Sequence, residues 1–227
     1  SEWRSDPQKS QITIRQLLTL TSGVRGGSVG RPPSYAEAIA REMEHAPGTF
    51  FEYGPVNFQI FGEIMRRKLQ SFESGQYDDA IEYLQARIFD PLDIHPAQWN
   101  EKAGYPTLPS GADLTAREWA RFGQLVLQGG AWKGMQLVDP ATLAQNFTGS
   151  AVNAGYGLTW WLNEQPSAET LNASKTMTVA SDLFTHPRRG ELPDDLFMAA
   201  GAGGQRLYII PSMKLVVVRQ YPRVFER

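Results

Sequence analysis

The amino-acid sequence predicts an α+β fold in which a mostly helical lobe precedes a lobe built on an antiparallel sheet. Apolar residues recur with a helical period of 3.6 up to about residue 155 and with a period of two after it. Helices and strands are also segregated along the chain, which argues against alternating βαβ units. The 227 residues, 41% of them hydrophobic, suffice for one large domain in two lobes, which we place at 1–155 and 156–227.

Helix start signals recur through the first lobe. Thr13 is a candidate N-cap for a short helix that ends before Gly23. Two later positions have the S/T-x-x-E spacing of a capping box, in which a side chain and a backbone N–H satisfy each other. These pairs are Ser34 with Glu37, and Thr115 with Glu118.

Between the capping boxes, Gly54-Pro55 is expected to open a longer helix. Four apolar residues are predicted to share one face of it: Phe58, Phe61, Met65 and Leu69. A further amphipathic helix is predicted from Tyr77, Ile81, Leu84 and Ile88. Asp139-Pro140 marks the start of one more short helix.

The second lobe contains short runs of β-branched and aromatic residues bounded by Gly and Pro. Four runs are predicted to be strands of one antiparallel sheet: 156–162, 196–200, 206–210 and 215–220. The stretch 163–195 is polar and contains several prolines, so we interpret it as an insertion over the sheet lobe.

The composition excludes several kinds of chemistry. With 22 basic and 24 acidic residues, the net charge of -2 gives no reason to expect nucleic acid or an anionic membrane as partner. No stretch approaches the 18 apolar residues of a membrane span. The absence of cysteine excludes disulfides, thiolate zinc sites and cysteine nucleophiles.

A first candidate nucleophile is Ser28, because residues 26–30 (GGSVG) match the G-x-S-x-G elbow of α/β-hydrolases. The elbow requires a strand before the serine and a helix after it. Here a glycine-rich loop precedes Ser28 and Arg31-Pro32-Pro33 follows it, so a flexible loop is the favoured interpretation. None of the histidines (His45, His95, His186) has metal-ligand spacing, and we interpret them as loop or helix-end residues.

Six phrases in a fixed order together resemble the serine hydrolases of the β-lactamase and penicillin-binding-protein type. They are 12–23 (ITIRQLLTLTSG), 47–59 (PGTFFEYGPVNFQ), 89–92 (FDPL), 114–123 (LTAREWARFG), 156–161 (YGLTWW), and 200–205 (AGAGGQ) followed by 210–211 (IP) and 215–218 (LVVV). Each phrase is weak alone, but the series spans nearly the whole chain. The resemblance implies a β-lactamase/DD-peptidase-like fold and no metal or cofactor.

Members of this family use an S-x-x-K pair, in which a serine nucleophile is activated with the help of a lysine. No serine stands three residues before any lysine of this sequence: Lys9, Lys68, Lys102, Lys133, Lys175 or Lys214. In the family the pair lies tens of residues before the first phrase, and only 11 residues precede that phrase here. The first residue is also not Met. We therefore expect the pair, with the N-terminal strands and first helix of the sheet lobe, to lie on an upstream segment or on another chain.

The family's second motif, Y-x-N or Y-x-S, corresponds to residues 53–55. Tyr53 precedes the helix opened by Pro55, so the positive end of the helix dipole would assist its hydroxyl in proton transfer. An ordinary tyrosine, with a pKa of about 10, needs such assistance near neutral pH. Pro55 departs from the motif, since it has no side-chain group to hydrogen-bond substrate or lysine. The alternative is an aromatic residue that only packs at the lobe boundary.

The third motif, K-T-G or H-x-G, corresponds to residues 199–201. Ala199 replaces the usual cation, Gly201 and Gly203 are expected to let substrate lie close to the chain, and the Ala202 amide is expected to be one oxyanion-hole donor. The other donor would be the amide of the absent serine. The alternative is an ordinary glycine-rich strand end.

The resemblance thus implies a serine hydrolase that cleaves ester or amide bonds of a small molecule or peptide through an acyl-serine. The missing cation at Ala199 favours these substrates over β-lactams, and this chain alone is expected to be inactive. Two alternatives stay open: a non-catalytic penicillin-binding-protein-like binding module, and an α/β-hydrolase using Ser28. The resemblance suggests a periplasmic or extracellular location, which the sequence itself does not fix.

Overall fold

The computed structural model describes residues 2–72, 75–173 and 180–221. The chain forms two compact units. The first, here called the helical unit, comprises Ser1–Asp90 and Pro96–Asp113. The second, the sheet unit, comprises Pro91–His95 and Leu114–Arg227. None of the helices formed by the described residues combines the length and apolar character needed to cross a membrane.

The helical unit begins with short, capped helices. Its helices are α1 (Ile14–Leu18), α2 (Tyr35–Ala40), α3 (Val56–Phe72), α4 (Ala80–Leu84) with a π-helical continuation Gln85–Phe89, and α5 (Asp90–Leu92), whose end enters the sheet unit. A 3-10 turn (Lys9–Gln11) precedes α1, and a hairpin of β1 (Glu101–Lys102) and β2 (Tyr105–Pro106) follows α5. The predicted caps at Thr13 and Ser34 are confirmed, and both form complete capping boxes.

The buried face of α3 differs from the predicted one. Of the four apolar residues expected on it, only Leu69 is buried, and Val56 and Ile60 instead join the core of this unit. That core comprises Leu17, Val24, Ala38, Val56 and Ile60. Helices α1 and α2 both pack on α3. The face of α3 that is buried is therefore the one that contacts these two helices, and not the one with the bulkiest apolar side chains.

The sheet unit contains a four-stranded antiparallel sheet, as predicted, in the order β5-β6-β7-β8. Its strands are β5 (Trp161–Leu162), β6 (Phe197–Ala200), β7 (Arg206–Ile210) and β8 (Leu215–Arg219). The other elements are α6 (Ala116–Leu127), a hairpin of β3 (Ala131–Trp132) and β4 (Met135–Gln136), α7 (Pro140–Ala144), α8 (Ala168–Ala173) and α9 (Ser181–Phe184). Short 3-10 turns lie at Gln145–Phe147, Arg189–Glu191, Ala202–Gly204 and Pro211–Met213.

Two segments of the sheet unit differ from the prediction. The run 156–162 is not one strand: Thr159 has a φ of 69°, the chain turns there, and Tyr156 bridges back to Trp161. The stretch 163–195 is not simply polar, since Leu183 and Phe184 of α9 are buried; its residues 174–179 lie outside the described part.

Helix α6, expected in the helical lobe because it precedes residue 155, packs on the sheet instead. A Cβ on Gly123 would stand 2.7 Å from Val216 and 2.8 Å from Leu207, so the glycine permits close approach to β7 and β8. The core of this unit comprises Val126, Trp160, Leu162, Phe197, Leu207 and Ile209.

Candidate functional site

Tyr53 lies in an extended segment directly before α3, and backbone hydrogen bonds fix this segment to the chain after α1. The Gly48 N–H donates to the carbonyl of Thr21 (2.7 Å), and the Glu52 N–H donates to the carbonyl of Leu20 (3.0 Å). Tyr53 is half-buried, while the neighbouring Phe51 is 2% exposed. The first two of the six phrases are therefore direct neighbours in the fold.

A buried polar contact joins the same two phrases. The Ser22 hydroxyl donates to Oδ1 of Asn57 (2.5 Å) and accepts the Val24 N–H (3.2 Å). Ser22 and Asn57 are 0% and 1% exposed. Because buried polar groups are costly unless paired, this contact fixes the first turn of α3 against the end of the α1 segment.

The loop that contains Ser28 lies against the start of α3. The Val56 N–H donates to the Gly26 carbonyl (3.2 Å), which satisfies one of the otherwise unpaired N–H groups at the start of that helix. Ser28 itself is exposed, and the adjacent glycines Gly27 and Gly30 have φ of 79° and 81°. No strand directly precedes Ser28 and no helix directly follows it, so the context required for a nucleophile elbow is not formed there.

Glu52, next to Tyr53, is a partly buried acid that the sequence analysis did not single out. Burial raises the pKa of its carboxyl, and a hydrogen bond from the Gly26 backbone opposes that shift. Its Oε2 atom is buried and has no hydrogen-bond partner among the described residues. The only sequence signal is an acidic residue in the middle of an aromatic run, Phe50-Phe51-Glu52-Tyr53.

The residues predicted for the oxyanion hole form an exposed turn at the end of β6. The Gly201 N–H donates to the Gln205 carbonyl (2.9 Å), which closes the turn. Gly203 and Gly204 have φ angles of 70° and 81°, a left-handed backbone conformation that residues other than glycine rarely adopt. The Ala202 N–H has no hydrogen-bond acceptor within the described part of the chain. Ala199 lies in β6 opposite Leu207, with no cation in its place.

The three histidines have ordinary structural contacts. His45 stacks on Phe50 with ring centroids 4.0 Å apart. Nε2 of His95 lies 3.3 Å from Oδ1 of Asp93. Nδ1 of His186 accepts a hydrogen bond from the backbone N–H of Arg188 (3.2 Å). Among the described residues, no group of three or more His, Asp or Glu side chains is placed to hold a metal ion.

The predicted site residues thus belong to different units. Tyr53 lies in the helical unit, and Gly201, Ala202 and Gly203 lie in the sheet unit. The structure adds Arg206 to the candidate site, because its side chain contacts this turn. No residue spacing in the sequence indicates that contact.

Comparison with known proteins points to one group. A family model described as Beta-lactamase matches residues 3–220. Solved structures with a similar fold include a candidate β-lactamase from Bacteroides dorei (21% identity, TM-score 0.63), covering 96% of this chain and 67% of that one. A second is a candidate 6-aminohexanoate-dimer hydrolase from Bacillus anthracis (19% identity, TM-score 0.65). The match covers 96% of this chain and 57% of that protein's chain.

A third similar structure is a penicillin-binding-protein homologue from Caulobacter crescentus (17% identity, TM-score 0.62). The match covers 94% of this chain and 67% of that protein's chain. At these identities the likeness shows the fold. The chain spans between about half and two thirds of the length of such structures. No curated protein matches the sequence closely enough to identify a relative.

Proposed function

The chain belongs to the β-lactamase family of serine hydrolases, and on that premise we propose that the complete protein cleaves ester or amide bonds through an acyl-serine intermediate. The observation that carries the proposal is the exposed Gly201–Gly203 turn, whose Ala202 N–H has no acceptor within the described residues. An unpaired amide at a fixed turn is suited to bind the negative oxygen that develops during acyl transfer.

Each residue has a distinct proposed role. The serine and lysine of an S-x-x-K pair lie outside these 227 residues and supply the nucleophile and its activation. Tyr53, just before the 17-residue helix α3, transfers protons between them and the leaving group. Ala202 supplies one oxyanion donor and the nucleophilic serine the other, while Gly201 and Gly203 let substrate lie close to the turn.

The surface of the sheet supports a contribution from a segment outside this sequence. Among the described residues, no strand pairs with the outer edge of β8. Leu215 and Val217 of this strand are 37% and 41% exposed, whereas Val216 and Val218 pack in the core beside α6. An apolar strand with an open edge is ordinarily paired or covered in a folded protein.

The departures from the family motifs indicate the substrate class. Ala199 provides no cation to hold a substrate carboxylate, and Pro55 provides no side-chain hydrogen bond. We therefore favour neutral esters or amides over β-lactams. The same two residues favour the second candidate function, a non-catalytic module that binds peptide or cell-wall fragments.

The experiment that separates the two is the Tyr53→Phe variant of the complete protein, assayed with a series of p-nitrophenyl esters and anilides. Loss of a proton-transfer group is expected to lower kcat by about 100-fold or more. Tyr77→Phe is a matched control in the same unit. Among the described residues, its hydroxyl accepts a single, exposed hydrogen bond from Gln76 (3.1 Å), so the variant should stay within about twofold of the parent, as is usual for surface changes. No turnover by the parent protein, or an unchanged kcat in Tyr53→Phe, would reject the proposed mechanism.

A further inference from the structure

The turn at residues 201–204 is held by two arginines on neighbouring strands. Nη1 of Arg206 donates to the carbonyls of Gly201 (3.0 Å) and Gln205 (2.9 Å). Nε of Arg219 donates to the carbonyl of Gly204 (3.1 Å). The two residues are register partners in the β7–β8 ladder, so their side chains start side by side on the same face of the sheet.

This arrangement couples the arginines to the turn electrostatically. Arg206 is only 7% exposed, and like charges directly opposite each other in a ladder repel. The carbonyl dipoles of Gly201, Gln205 and Gly204 offset that repulsion, so the two cations are stable where they can hold the turn. A single nitrogen of Arg206, Nη1, donates to both carbonyls, and the rigid planar guanidinium fixes the position of this nitrogen more closely than the flexible stem of a lysine would fix an ammonium.

The geometry of the peptide unit then fixes the direction of the Ala202 amide. In a planar trans peptide the C=O and the following N–H point in opposite directions. The Gly201 carbonyl is directed at Arg206, so the Ala202 N–H of the same peptide is directed away from it. Ala202 is an exposed residue and its N–H has no acceptor among the described residues, so this amide is available to a ligand.

We propose that Arg206 is a positioning residue for the oxyanion hole: its guanidinium fixes the Gly201–Ala202 peptide so that the Ala202 N–H meets the developing oxyanion. The inference rests on the proposed function, since it assigns that amide as a donor. Without this contact a turn with glycine at 201, 203 and 204 has few restraints on its peptide planes. Arg219 holds a different peptide, whose N–H belongs to Gln205 and has no proposed catalytic role.

Two variants of the complete protein test the catalytic part. Arg206→Met keeps the aliphatic stem and removes the donors, and kcat is expected to fall by about 10- to 100-fold, with KM within about threefold, because the donor acts in the transition state. Arg206→Lys is expected to recover part of the loss. The matched control is Arg219→Met, which releases the Gly204 carbonyl from the same turn and is expected to change kcat by less than about threefold.

Crystal structures of the 227-residue chain and its Arg206→Met and Arg206→Lys variants test the positioning part without reference to activity. We expect the Gly201 carbonyl to rotate or to occupy two directions in Arg206→Met, and to keep its direction in Arg206→Lys. An unchanged Gly201–Ala202 peptide in Arg206→Met would overturn the inference, as would equal losses of kcat in Arg206→Met and Arg219→Met. If the complete protein fails to turn over any substrate, the proposed function falls, while the direction of the peptide still decides whether Arg206 positions it.

Discussion

The segment that carries Tyr53 and the turn that carries Ala202 are held in place by different forces. The Tyr53 segment is fixed by backbone hydrogen bonds and by backbone-to-backbone contact: a Cβ on Gly54 would stand 2.3 Å from the Gly26 carbonyl oxygen. The Ala202 turn is exposed, and beyond the one backbone hydrogen bond that closes it, from Gly201 to Gln205, it is held by the side chains of Arg206 and Arg219. The first region should therefore be sensitive to added volume, and the second to loss of charged donors.

The largest effect is expected from Gly54→Ala. The added methyl has no space, because the contacting atoms belong to the Gly26 backbone and cannot rotate away. Overpacking of this kind should lower the free energy of unfolding by about 3 kcal/mol, measured by urea denaturation. Gly190→Ala is the control, since no atom of the described residues beyond its chain neighbours lies within 4 Å of its added Cβ, and it should stay within about 0.5 kcal/mol. A Gly54→Ala cost equal to that of the control would remove the distinction between the two regions.

The next effect concerns the buried pair that fixes α3. Asn57→Ala removes the acceptor of the Ser22 hydroxyl and is expected to cost about 1–3 kcal/mol, because Ser22 then stays buried and unsatisfied. In the double variant with Ser22→Ala that penalty should be partly relieved. A double-mutant cycle measures this coupling, and strictly additive losses would show that the contact does not stabilise the Tyr53 region.

A smaller effect is expected in the turn itself. Gly204→Ala places a side chain at a φ of 81°. Among the described residues its Cβ would lie 3.2 Å from the ring of Tyr221 and 3.9 Å from Nη2 of Arg219, and both of these side chains can move. The expected cost is about 1 kcal/mol, from the left-handed backbone alone. Tyr221→Ala in the same background should leave that cost unchanged. A loss as large as that of Gly54→Ala would mean that the turn is as tightly packed as the Tyr53 segment.

The smallest effect is expected from Glu52→Gln, and it depends on pH. Below the ordinary carboxyl pKa of 4.5, Glu52 is mostly protonated in both folded and unfolded chains, so its raised pKa costs little. As pH rises above that value, the unfolded chain loses its proton first, and the folded state becomes relatively less stable. Thermal unfolding should therefore show Glu52→Gln to be slightly more stable than the parent at pH 8, with the difference disappearing toward pH 4. The opposite trend would indicate that the folded protein stabilises the ionised carboxylate.

The local parts of the fold were the predictable ones. The capping boxes at Ser34 and Thr115 and the strand at 206–210 follow from neighbours in the sequence, and all are formed. Which elements cover a given helix face depends instead on residues far away in the sequence. Val56 and Ile60 are buried because α1 and α2 cover them, and α6 joins the sheet because Gly123 admits Leu207 and Val216.

The candidate site divides in the same way. Tyr53 and the 201–203 turn were identified by resemblance of short phrases, since no general property of the residues marks them. The contribution of Arg206 could not be inferred, because an arginine in an apolar strand is equally consistent with a solvated edge. Only the fold places its guanidinium on the carbonyls of the turn.

We propose that this chain supplies part of an acyl-transfer site whose nucleophile lies outside it. The most direct test is labelling with a fluorophosphonate and with a fluorescent penicillin, followed by peptide mapping, for the 227-residue chain and for the complete protein. We predict that the fluorophosphonate labels a serine of an S-x-x-K pair in the complete protein and no serine in the chain alone, with weaker or no labelling by penicillin. Stoichiometric labelling of any serine within residues 1–227 of the isolated chain, Ser28 included, would contradict the proposal that the nucleophile lies outside it.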